Sequence, residues 1–90
     1  MTAKEMFEEL GYKYGKYAEE IICTKEDRQW REVGEITIDF DLQGKTIELG
    51  FNGRISNSLP LFITLEELQA INKQIEELWG DEILKKNGNK

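Results

Sequence analysis

Ninety residues carry 18 acidic against 12 basic side chains, a net charge of −6, with 39% apolar and 33% charged residues. A chain of this length supports one hydrophobic core and no second one, and its negative field repels nucleic acid and anionic membrane. The absence of histidine removes the commonest general base and the commonest transition-metal ligand.

The chain opens with Thr2-Ala3-Lys4-Glu5, a capping box in which the Thr2 hydroxyl and the Glu5 carboxylate each satisfy the other's amide. Ala3, Met6, Phe7 and Leu10 then recur at helical spacing, and Gly11 is placed to end the turn in a left-handed conformation. The spacing predicts a short helix over residues 2–10 that must dock on something to persist. An aromatic stretch follows, Tyr12, Tyr14 and Tyr17 broken by Gly15, read as half-buried edge aromatics. Ile21, Ile22 and Cys23 predict a first strand over residues 18–25. Glu26 to Gly34, with mixed charges around Trp30 and Val33, reads as a connection in which Trp30 anchors the loop on the core.

The strongest local signal is a hairpin. Gln43-Gly44 lies between two alternating runs, and a two-residue turn there sets Phe40 opposite Ile47, Ile38 opposite Leu49 and Ile36 opposite Phe51. All the large apolar residues then share one face of the pleat, an agreement that a slip of one residue destroys. Arg54 to Pro60 is a polar connection, and Leu61-Phe62-Ile63 a brief apolar run with the character of a short edge strand. Thr64-Leu65-Glu66-Glu67 is a second capping box, with Ile63 and Leu68 as its staple. Leu68, Ile71, Ile75, Leu78 and Trp79 form the predicted apolar stripe of a final helix that Gly80 ends. Residues 81–90 read as a tail, frayed or disordered.

These elements predict an α+β fold: one α-β-β-β-α domain over residues 1–80, with a three-stranded, or four-stranded, antiparallel meander. Both helices would cover the same apolar face of the sheet. The other face is left to water or to a partner, and it is acidic. Asp39 stands opposite Glu48, with Glu35 and Asp41 along the same face, and like charges facing across an antiparallel pair oppose each other. These four carboxylates form the candidate partner face, suited to a basic protein segment. Strands offer no wrapping loop to complete an oxygen-ligand shell, so no metal is expected.

Other chemistry is excluded residue by residue. The cations of the Arg28-Trp30-Arg31 cluster are offset by Glu26, Asp27 and Glu32, which argues against a nucleic-acid platform. Cys23 sits among apolar strand residues with no histidine to activate it and reads as a buried thiol. Gly50-Phe51-Asn52-Gly53 lacks the lysine and glycine spacing of a phosphate loop, and Ser56 and Ser58 have no base to pair with. No enzyme and no cofactor are expected. The single cysteine allows no intramolecular disulfide, which predicts a reducing cytoplasm. No stretch approaches the roughly 20 apolar residues that cross a bilayer, and none has the form of a secretory signal.

Two stretches, Ala3-Lys4-Glu5-Met6-Phe7-Glu8-Glu9-Leu10-Gly11-Tyr12 and Ile63 through Leu78 (ITLEELQAINKQIEEL), resemble small uncharacterised phage- and prophage-encoded proteins of Gram-positive bacteria. The resemblance carries no site residues or activity, and it implies an accessory protein working in a bacterial cytosol. The functional expectation is a non-catalytic protein, monomer or homodimer, that binds a phage or host protein through Glu35, Asp39, Asp41 and Glu48. The alternative is an acidic inhibitor that mimics nucleic acid and blocks a host defence enzyme, since the final helix sets four glutamates against Lys73 and the hairpin four carboxylates against Lys45.

Overall fold

The computed structural model describes residues 1–29, 32–53 and 61–88, with residues 83–88 described by backbone alone. In chain order the elements are α1 (Ala3–Glu9), β1 (Lys13–Lys16), β2 (Glu20–Gln29), β3 (Glu32–Asp41), β4 (Thr46–Gly53) and α2 (Leu65–Gly88). The strands form one antiparallel sheet in the order β1-β2-β3-β4, a meander with β1 and β4 at its edges. The fold is α+β, and the fourth strand is β1.

Helix α1 forms where its caps place it. Glu5 N–H donates to the Thr2 hydroxyl and Thr2 N–H to the Glu5 carboxylate, so both halves of the capping box are made. At the other end Tyr12 N–H reaches the carbonyl of Phe7 and Gly11 N–H that of Glu8, with Gly11 at φ +93°. This is a Schellman closure, and the positive φ is the reason for glycine. The turn aims Tyr12 and Tyr14 into the molecule, where Phe7 meets Tyr12 edge-on at 5.6 Å and Phe40 at 6.1 Å. The core they join contains Ile21, Cys23, Ile36, Ile38, Phe40 and Phe51 from the sheet and Ala70 and Ile71 from α2.

The register of the central hairpin is the predicted one: Ile36 faces Phe51, Ile38 faces Leu49 and Phe40 faces Ile47. The turn itself is wider. The last bridged pair is Asp41–Thr46, leaving Leu42 to Lys45 as a four-residue loop with the left-handed residue at Lys45, φ 56°. The Asp41 carboxylate sets this geometry by accepting from the amides of Gln43 at 3.0 Å and Gly44 at 3.1 Å. A Cβ on Gly44 would lie 2.9 Å from Asp41 Oδ2, so the glycine admits the carboxylate.

Three other expectations about the strands and their connections are corrected. The aromatic stretch contains strand β1, because Tyr14 supplies a core-facing side chain opposite Cys23 despite the glycine beside it. Residues 26–34 are not a connection: β2 runs on to Gln29 and β3 begins at Glu32, and their pairing carries charged residues at Lys25, Glu26 and Asp27. Trp30, and with it the expected anchoring role, lies outside the described residues, as does the connection 54–60. Leu61 to Ile63 form no strand; the amide of Gln29 instead takes both backbone groups of Phe62, donating to its carbonyl and accepting from its N–H at 2.9 Å each.

Helix α2 passes through Gly80 and continues to Gly88. A glycine inside a helix costs about 1 kcal/mol, and Leu78 and Trp79, both partly buried just before it, help hold the helix on course. At 24 residues it spans roughly 36 Å, which accounts for the 47 Å long axis of a molecule only 27 × 25 Å across. It is also rotated from the predicted stripe. Leu68 is 46% exposed, while Glu67, Ala70, Ile71 and Gln74 are buried. The cause is polar: Tyr12 donates its hydroxyl hydrogen bond to Glu67 and Tyr14 donates to Gln74, drawing both side chains beneath the helix.

Candidate functional site

Carboxylates stand on both faces of the sheet, one held in a polar cluster on the core face and five gathered on the outer face, and their geometries differ. On the core face stands Glu67. It is the third residue of α2 and closes the capping box, so its Oε1 accepts from Thr64 N–H at 2.8 Å while Thr64 Oγ1 accepts from Glu67 N–H at 3.1 Å. Its Oε2 accepts from the Tyr12 hydroxyl and lies 3.6 Å from Lys25 Nζ. That ammonium sits over the Tyr12 ring at 4.8 Å and donates to the Leu10 carbonyl at 3.3 Å. Burial opposes ionisation of Glu67, but the Thr64 amide, the Tyr12 hydroxyl and Lys25 outweigh it and hold the carboxyl below its usual range. Burial and then the Glu67 carboxylate push the Tyr12 hydroxyl upward. Every polar atom of this cluster has a partner, which is the arrangement of a structural pin.

The outer face is different. The pairings Glu20–Asp41, Asp41–Thr46 and Asp39–Glu48 bring four carboxylates onto two adjacent rungs. Leu42 N–H donates to the Glu19 carbonyl at 3.0 Å, which ties the β1–β2 bend to the β3–β4 loop and adds a fifth. The result is a concavity of about 280 Å³ lined by Glu19, Glu20, Asp39, Asp41, Gln43, Thr46 and Glu48. Among the described residues none of these five carboxylates has an ion pair. Oδ1 of Asp39 is buried and has no hydrogen-bond partner. An unmet acceptor of this kind costs about 1–3 kcal/mol, and two facing carboxylates about 5 Å apart repel by of order 1 kcal/mol even in water.

Of the residues singled out in the sequence, Asp39, Asp41 and Glu48 therefore meet in one concavity. Glu35 does not join them. Four residues along β3, roughly 13 Å away, it lines a separate hollow with Lys13, Lys25 and Glu26. Asp41 has a second duty, holding the β3–β4 loop through its Oδ1. Glu19 and Glu20 were not singled out. Their signal lay in the pairing of β2 with β3, because extending the Ile21–Phe40 rung by one sets Glu20 against Asp41.

Among the described residues the buried carboxylates are Glu67, held in its pin, and Glu32 on β3. Burial pushes the Cys23 thiol up to about 12, far from a thiolate nucleophile. Gly50 to Gly53 belong to β4. Among the described residues no group of carboxylates and cysteine is arranged to hold a metal ion, and no helix is long and apolar enough to cross a membrane. Comparison of the chain with protein-family models, with curated proteins and with solved structures returns no match.

Proposed function

We propose that the chain is a non-catalytic protein-binding module, an accessory protein of a phage or prophage working in the bacterial cytoplasm, whose outer sheet face docks a basic segment of a partner protein. The observation that carries the docking surface is the concavity at Glu19, Glu20, Asp39, Asp41 and Glu48, five carboxylates with no cation among the described residues. The phage setting rests on the resemblance of the two terminal stretches alone. A guanidinium or ammonium entering the concavity relieves the Asp39–Glu48 and Glu20–Asp41 repulsions and gives the buried Asp39 oxygen a donor. The non-catalytic reading is supported by the raised Cys23 thiol and by the complete pairing of Glu67, which tie up these two buried groups.

The test is calorimetric titration of the full chain with an oligo-arginine peptide at low and high salt. Binding that weakens steadily with salt is expected, together with a loss of at least about tenfold in Asp39→Lys/Glu48→Lys. Asp41 is spared in that variant because the loop needs it. Glu35→Lys, in the other hollow, should leave binding within about twofold. Equal losses in both variants would reduce the effect to net charge and discard the concavity as a site.

A further inference from the structure

Among the described residues β1 and β4 each have one side that no other strand pairs, and these two edges are built differently. β1 is four residues long, and Lys13 and Lys16 stand at its two ends. Short length and lysines are how proteins keep an edge from pairing with another chain. β4 is eight residues, Thr46–Gly53, with Glu48 as its one charge and no proline. Beside it the described residues leave part of the core face uncovered. Helix α2 is rotated toward Tyr12 and Tyr14, so a groove of about 470 Å³ opens between β4 and the start of α2, lined by Ile47, Leu49, Ile63, Leu65, Leu68 and Ile71. Leu49, Leu65 and Leu68 are 44%, 67% and 46% exposed. A long unguarded edge beside an apolar groove calls for an added strand that is apolar on alternate residues and carries no negative charge where it meets Glu48.

We propose that the added strand is β4 of a second copy of this chain, paired antiparallel about a twofold axis at Leu49. The strand meets its own requirement. For the apolar sides of both copies to lie on one face, the paired residue numbers must share parity. Pairing Glu48 with Glu48 sets like charges together, and a twofold at Gly50 faces Ile47 with Gly53 and leaves it uncovered. A twofold at Leu49 pairs Leu49 with Leu49, Ile47 with Phe51, Glu48 with Gly50 and Thr46 with Asn52. Every apolar residue then meets an apolar one, and Glu48 meets no charge. A Cβ at Gly50 would meet nothing within 4 Å, so the opposing Glu48 has room. The two grooves merge into one continuous apolar surface under an eight-stranded sheet, and the two acidic concavities lie together on its other face. This proposal does not depend on what the acidic face binds.

The experiment is sedimentation of the full chain from micromolar to millimolar concentration, with three variants. The wild-type chain should pass from monomer to dimer within that range. Gly50→Glu places a glutamate opposite each partner Glu48 and should raise the dissociation constant about tenfold or more, with an unchanged thermal melt at monomeric concentration because the position is open. Glu48→Lys/Gly50→Glu turns the same two contacts into opposite-charge pairs and should restore the dimer. Leu49→Cys should form an inter-copy disulfide on mild oxidation, since both kinds of antiparallel pair bring Cα atoms within bridging range, while the buried Cys23 stays out of reach. A wild-type chain that remains monomeric throughout, even one that captures a foreign strand, overturns the proposal. So does a dimer that Gly50→Glu leaves untouched.

Discussion

Glu67 and Asp39 are both carboxylates set against the same sheet, on opposite faces. Glu67 is 3% exposed and surrounded by donors from the Thr64 amide, the Tyr12 hydroxyl and Lys25. Asp39 faces Glu48, has an orphaned oxygen, and shares its concavity with Glu19, Glu20 and Asp41. An ionised group cannot enter an interior unless its partners come with it, so Glu67 explains the fold and its own surroundings together. Asp41 holds the β3–β4 loop, but nothing in the packing requires Glu19, Glu20, Asp39 and Glu48 to converge on it. Charge that the fold tolerates without needing is charge available to something else, and that asymmetry is why the outer face, with its mutual repulsion, is the functional candidate.

The largest effect should come from the paired member. Glu67→Leu removes the acceptor for Tyr12 and Thr64 and leaves Lys25, whose side chain is 20% exposed, without its buried partner. A loss of about 3 kcal/mol is expected in urea unfolding, near the range for breaking a buried pair. A loss below about 1 kcal/mol would mean that the network is incidental and that the comparison with Asp39 has no energetic content. The pH dependence sharpens it. The folded Glu67 carboxyl lies below its unfolded value of about 4.3. Its contribution is therefore complete above that value and lost as pH falls through the folded one. The stability gap between wild type and Glu67→Gln should be full at neutral pH and close progressively as pH drops below about 4. A gap that stays constant to low pH would show that Gln fails for shape rather than charge.

The same contrast explains what could be read in the amino-acid chain. The β3–β4 register was legible because Ile36, Ile38, Phe40, Ile47, Leu49 and Phe51 alternate strictly, and one register alone keeps them on one face. Asp39 opposite Glu48 came with it. The two capping boxes were legible because they are local. What was missed depends on polar groups acting at a distance. Glu67 and Gln74 look like solvent residues until Tyr12 and Tyr14, 55 and 60 residues earlier, supply their partners. That rotates α2 away from its apolar stripe and exposes Leu68. Likewise Lys25 and Asp27 disguise the far half of β2, and Gln29 holds Phe62 with a side chain where a strand was expected. Gly80 carries a helix-ending signal, but its following residues continue the helix.

On the outer face the expected sign is reversed. Asp39→Asn removes one charge from the Asp39–Glu48 rung and gives its buried position a donor as well as an acceptor. It should raise stability by about 0.5–1 kcal/mol at low ionic strength, a gain that shrinks in high salt as the wild-type repulsion is screened. The readout is paired urea melts at two salt concentrations. Destabilisation by Asp39→Asn would show that the carboxylate is held by a partner the contrast with Glu67 omits.

Glu82 separates the two variables that distinguish Glu67 from Asp39, because it is paired but not buried. It accepts from Lys45 across the β3–β4 loop and α2, with the two side chains 49% and 57% exposed. Water competes for both ends of such a pair, and fixing two long side chains costs entropy. Lys45→Gly also relieves the left-handed backbone at φ 56°, so the variant that isolates the ion pair is Glu82→Gln. It should lower stability by less than about 0.5 kcal/mol, the smallest change of the series. A loss above about 1 kcal/mol would mean that pairing stabilises this protein without burial, and the idle charge of the outer face would then reflect missing cations rather than a surface kept open for a partner.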